Sequence, residues 1–216
     1  MRTARRVFAV ASLAALSMGL ASCGNLMGFL ASVVDRPQTR EAVYELPEHR
    51  KLLVFVEAAG HETEHSVARK LTEVLNERLK SEDVTHATVP YERQLDLAAY
   101  AGLGALEPVS AAERLDADLV LLVRIDEFSL QDSPAGGLWK GRMAATVKVL
   151  EVPSGQRLGP GDDPAGYAIE PVETPMTTNT SSDYAHDLTV KLCTIMSDRI
   201  AKLFYEHEVR PSEQNR

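Results

Sequence analysis

Leu119 to Ile125 reads Leu-Val-Leu-Leu-Val-Arg-Ile, the clearest strand pattern in the chain. A second continuous apolar run, Leu52 to Val56, has the character of a strand covered on both faces. Between them the period changes. Val67, Leu71, Val74, Leu75 and Leu79 recur at helical spacing with charged residues between, which predicts an amphipathic helix over His61–Lys80. Val84–Val89 reads as a strand stopped by Pro90, and Tyr91–Tyr100 as a short helix ended by Gly102 and Gly104. Ser110 stands as the N-cap of a further short helix, with Glu113 at capping-box distance. Leu138–Val152 alternates like a long strand, and Ser133–Gly137 before it is a turn. Tyr167–Val172 suggests an irregular strand in a Gly- and Pro-rich loop. Leu188, Leu192, Ile195, Met196, Ile200, Leu203 and Phe204 give the last helix its apolar stripe, with Ser182 or Asp183 as its cap.

Strands and helices that alternate in the first half favour parallel pairing. Two long strands joined by a turn favour an antiparallel hairpin. Both are met by an α/β fold in one domain: a mixed four- to five-stranded sheet packed by two long helices and one or two short ones. That domain is expected over 51–207, with a frayed tail over 208–216.

The amino terminus is of another kind. Arg2, Arg5 and Arg6 precede the apolar stretch Val7–Leu20, and Leu20-Ala21-Ser22-Cys23 follows. This is the layout of a signal peptide, residues 1–22, closed by a lipobox. The stretch is short for a membrane-spanning helix. In this it resembles bacterial lipoproteins, in which the cysteine is acylated and becomes the first residue. The resemblance implies that Cys23 is the lipidation site, carrying palmitate-type chains. Residues 23–50 then read as the lipidated Cys and a tether, apolar over Asn25–Val34 and polar over Asp35–Arg50, with Pro37 and Pro47 breaking regular structure. Gly24 after the cysteine, where an Asp would imply retention at the inner membrane, points to the outer membrane. Arg5-Arg6-Val7-Phe8 also resembles a twin-arginine export motif, but an ordinary basic n-region explains it as well.

Charge narrows the partners. Loss of residues 1–22, which hold three Arg and no acid, takes the net charge from −8 to −11. So acidic a chain is poorly suited to nucleic acid or an anionic lipid surface. Acyl chains must then supply the membrane contact, at about 0.8 kcal/mol per buried CH₂. Cys193 is the second of two cysteines and sits among Leu192, Ile195 and Met196, so a core thiol is expected and an internal disulfide is not.

Ala111-Ala112-Glu113-Arg114-Leu115-Asp116-Ala117-Asp118 runs into the Leu119 strand. With the order of elements around it, this is similar to the curli secretion lipoprotein, the penicillin-binding-protein activators and the amino-terminal domain of TolB. The local match is Ala117-Asp118. The resemblance implies a noncatalytic, periplasm-facing adaptor or assembly factor with another envelope protein as its partner and no cofactor.

His61-Glu62-Thr63-Glu64-His65 carries the alternative. Two His four apart on a helix can share a zinc, and the Glu can take a proton from metal-bound water. In the zinc peptidases that this motif resembles, His61 and His65 would be the metal ligands and Glu62 the base of a hydrolase. A third ligand is needed, and Ala68 and Leu71 stand where the extended pattern requires Gly and His. Glu82 and His86 qualify by residue type. The simpler account is an acidic first turn that complements the helix dipole.

Other candidates are weaker. Asp162-Asp163 suits a solvated loop better than Ca²⁺. Asp183, His186 and Asp187 lack a serine elbow, and Gly102-Leu103-Gly104 lacks a third glycine. Trp139 is expected half-buried at a strand start.

Overall fold

The computed structural model describes residues 38–58, 62–101, 107–132, 138–175, 177–178 and 184–209. Cys23, His61 and the cap candidates Ser182 and Asp183 lie outside these residues. The chain divides into two compact units. One takes in Met1–Arg40 and His207–Arg216, the other Glu41–Glu206. In the first, β1 (Gln38–Arg40) and β8 (His207–Val209) pair antiparallel, with Thr39 opposite Glu208.

The larger unit holds β2 (Leu52–Ala58), α1 (Glu62–Ser81), α2 (Tyr91–Ala101), α3 (Pro108–Arg114), β3 (Leu119–Asp132), β4 (Leu138–Glu151), β5 (Arg157–Gly159), β6 (Tyr167–Glu173), β7 (Thr177–Thr178) and α4 (Tyr184–Ala201). β2 and β3 are parallel, Leu52 opposite Leu119, and β3 and β4 form an antiparallel hairpin. β5, β6 and β7 then share the far side of β4, so six strands fill four positions across the mixed sheet. The expected mixed α/β architecture is present.

Alternation decides the two faces. Leu52, Val54, Leu119, Leu121 and Val123 point to one side, where α1 contributes Val67, Leu71, Leu75 and Leu79, and α4 contributes Leu192, Met196 and Ile200. Leu53 and Val120 point to the other, under Ala111, Ala112 and Leu115 of α3 and its end. Because α1 and α3 cover opposite faces, β2 needs apolar residues at consecutive positions. From Arg124 onward the second face turns polar: Arg124 meets Asp126, and Arg142 meets Glu127 and Glu173. That change hid from the apolar pattern the continuation of β3 to Asp132 past an irregularity between Ile125 and Glu127.

Two expectations are corrected. Val84–Val89 is not a strand but makes one parallel bridge, Leu52 to Thr88. Leu52 N–H reaches Ala87 O and Val89 N–H reaches Leu52 O, each at 2.9 Å. Pro90 has no N–H with which to extend it. Ser110 lies inside α3 rather than capping it. The helix begins at Pro108, with Glu107 at the cap position making no side-chain cap bond. Proline at the first turn lacks an N–H that would be orphaned there, so the hydroxyl cap is dispensable. Residues 41–50, read as the end of a tether, lie within the larger unit. The N–H groups of Val43 and Tyr44 both reach Leu203 O, at 2.8 and 3.0 Å.

Candidate functional site

The His-Glu-x-x-His stretch enters α1 at its first turn, where Glu62 opens the helix. Its proposed companions by type, Glu82 and His86, follow the other end of the same helix. At about 1.5 Å rise per residue, the 17 positions from His65 to Glu82 span about 25 Å. Neither residue can therefore share a metal ion with His65. Among the described residues, no three His, Cys, Asp or Glu side chains converge as a metal site.

Glu82 and His86 instead border a half-open cleft of about 600 Å³ lined by residues 45–50, 82–87, Phe204 and Tyr205. Asp83 and His49 turn the chain here with positive φ, 54° and 59°. Phe204 is buried at 4% exposure, whereas Glu45, Glu48, His49, Asp83 and His86 are exposed. Burial, with Glu82 adding, holds the Tyr205 hydroxyl above its ordinary value. Arg78 ties the wall to α4 through Glu82 at 3.0 Å and Asp198 at 2.6 Å, and Lys202 meets Asp198 at 2.7 Å. Ligand pockets are lined mostly by apolar groups with a few convergent polar ones, whereas this cleft mixes the two about evenly and carries its charged side chains on an exposed rim. It offers charged contacts rather than a dry reaction chamber. The cleft was missed in the sequence because one wall was read as tether and the other as strand.

Ala117-Asp118, the local match for the adaptor resemblance, has a structural task. Just past the end of α3, Asp116 takes φ 56°, and Ala117 N–H closes back onto Ala112 O at 2.9 Å. Asp118 Oδ2 then accepts Lys51 N–H at 2.8 Å, while Lys51 Nζ donates to Leu115 O at 2.8 Å. Small-Asp before an apolar strand thus joins the starts of the two parallel strands.

The remaining candidates fall into place singly. Asp163 Oδ1 accepts Ala165 N–H at 2.8 Å, an Asx-type turn in an exposed loop. His186 and Asp187 are exposed on the first turns of α4. Trp139 is half-buried at the start of β4 and meets Tyr184 edge-on, with ring centroids 6.3 Å apart. Cys193 is a buried free thiol, its Sγ 3.9 Å from Val67 O, and burial pushes it up to about 12. Such a thiol is inert at neutral pH. Among the described residues no helix is long and apolar enough to cross a membrane.

No protein-family model matches the chain, and no curated protein does. Among solved structures it is similar to the PelC dodecamer from Paraburkholderia phytofirmans, with 10% identity, TM-score 0.42, and cover of 80% of this chain and 100% of that one. It is also similar to lipoprotein GNA1162 from Neisseria meningitidis, at 13% identity, TM-score 0.44, and cover of 72% and 99%. A putative lipoprotein from Caulobacter crescentus gives 12%, 0.35, and cover of 68% and 84%. Likenesses this remote say nothing of function.

Proposed function

We propose that the chain is an envelope lipoprotein, anchored by acyl chains on Cys23 and facing the periplasm, from the outer rather than the inner membrane. Its α/β unit serves as a noncatalytic adaptor or assembly factor for another envelope protein. The observation that carries the anchor is the run Leu20-Ala21-Ser22-Cys23 behind a basic and then apolar segment. The adaptor role is supported by the resemblance at Ala117-Asp118, within the order short helix, central strand, hairpin and long helix that the resemblance implies.

The competing reading, a zinc-dependent hydrolase with His61 and His65 as ligands and Glu62 as base, draws on motif spacing alone.

Two measurements test these readings. Cys23→Ser is expected to move the protein from the membrane fraction to the soluble one and abolish acyl labelling. Continued labelling would falsify the anchor. Metal content of the purified protein, beside a His61→Ala/His65→Ala double variant, tests the second point. Near-stoichiometric zinc in the natural chain alone would replace the adaptor reading with the hydrolase.

A further inference from the structure

α2 is held differently from the other helices. α1, α3 and α4 each place residues in a core, but none of residues 91–99 of α2 is buried, and Leu95 is 46% exposed. Tyr91 at its start is half-buried beside Arg69 and Glu73 of α1, and a few further contacts hold the rest. Arg93 N–H turns back to Pro90 O at 3.2 Å, Leu97 rests partly buried on the cluster around Leu53, and Gln94 Nε2 donates to Val54 O at 3.1 Å.

The last contact falls on the edge of the sheet. Along β2 the backbone groups alternate between its two sides. Lys51 faces Asp118 on the β3 side, whereas the N–H and C=O of Leu52 face away, to Ala87 and Val89. Phe55 therefore faces β3, and Val54 and Val56 present their backbone groups outward. The bridge to Thr88 covers the first outward position, and Pro90 sends the chain away into α2. Gln94 meets the next outward carbonyl, that of Val54.

We propose that α2 is a hinged cover over this edge of β2, latched by Gln94, which opens as a unit while the sheet stays intact. Closed, it keeps the outward groups of Val54 and Val56 from pairing with strands of other chains. An uncovered edge is a template for such pairing. Opening is local because α2 buries little apolar surface, and regions of that kind open well below the global unfolding free energy.

Residue-resolved amide hydrogen exchange on the mature chain tests the cover. Leu95–Ala99 are expected to exchange at least about 100-fold faster than Leu75 of α1 and Met196 of α4. Val54 and Val56 should follow α2, while Phe55 stays protected by β3. Gln94→Ala should speed exchange of α2, Val54 and Val56 several-fold, leave Leu75 and Met196 unchanged, and bring concentration-dependent self-association in light scattering. Protection of α2 equal to that of α1, or equal acceleration of every element by Gln94→Ala, overturns the hinged cover. A Gln94→Ala chain that opens faster yet keeps a constant mass overturns its shielding role.

Discussion

Asp118 and Lys51 hold one another twice: the Asp118 carboxylate accepts Lys51 N–H at 2.8 Å, and Lys51 O accepts Asp118 N–H at the same distance. Asp118 O also accepts Val152 N–H at 3.0 Å, so one residue joins the starts of β2 and β3 to the end of β4. Asp118→Ala is expected to cost about 1–3 kcal/mol, because it strands the Lys51 N–H, while Asp118→Asn keeps an acceptor and costs less. Urea unfolding at unchanged slope reads both. Equal stability of Asp118→Ala and the natural chain would remove the carboxylate from this joint.

Gly141 lets β4 and α4 approach closely. A Cβ there would stand 2.8 Å from Leu192 Cδ1 and 3.2 Å from Leu188 Cγ. Gly141 also exchanges backbone contacts with Thr174, donating to its Oγ1 at 2.8 Å and accepting its N–H at 2.9 Å. Gly141→Val is expected to destabilise by about 1–3 kcal/mol through overpacking, and Leu192→Ala by about 2–5 kcal/mol through a cavity. Since each change relieves the other, the double variant should lose less than the two singles together. Strict additivity in thermal unfolding would mean that the two sites do not share this space.

Burial at Cys193 couples stability to alkaline pH. Its thiol titrates near 9 when unfolded and is pushed up to about 12 in the fold. The raised value means that the native chain keeps a proton the unfolded chain releases. This contribution is therefore complete below about pH 9 and lost as pH rises toward 12. A Cys193→Ala variant should show a shallower decline over that window. At neutral pH a thiol reagent should label Cys193 only on unfolding, and rapid labelling of the folded chain would contradict its burial.

The Arg78, Asp198 and Lys202 group crosses from α1 to α4 at partly exposed positions. Asp198→Asn should cost no more than about 1 kcal/mol, and the cost should shrink as salt is added. A larger, salt-insensitive loss would point to packing rather than charge.

What could be read from the sequence follows from how strongly each element depends on apolar period. β2, α1 and α4 repeat their apolar residues at the spacing their burial demands and are legible nearly to their ends, and β3 is legible as far as Ile125. The failures have local causes. Val84–Val89 has strand-like residues, but only Thr88 bridges β2 before Pro90 removes a donor. The outer half of β3 is held by ion pairs such as Arg142 with Glu127, which carry no apolar signal. Glu82 and His86 match a metal ligand by type, and only the length of α1 sets them apart from His65. Tyr44 in a stretch taken for tether lies so close to Gly159 that a Cβ there would sit 2.5 Å from its ring. Nothing in the spacing announces such a contact across the chain.

The parallel pairing of β2 with β3 also sets an order of assembly. Lys51 and Asp118 lie 67 positions apart, whereas β3 and β4 pair from Asp132 and Trp139, close neighbours along the chain. Closing the longer loop costs more entropy before any contact offsets it, so the hairpin is expected to form first and β2 to dock late. Val147→Ala should then mainly slow refolding and Val54→Ala mainly hasten unfolding, a contrast stopped-flow kinetics can read. The reverse pattern would place β2 in the nucleus. For a polypeptide released from its amino end, the Leu52–Ala58 segment is the earliest greasy stretch of the folded unit to emerge and among the last to find shelter. The interval between those two events is when such a chain most needs a chaperone.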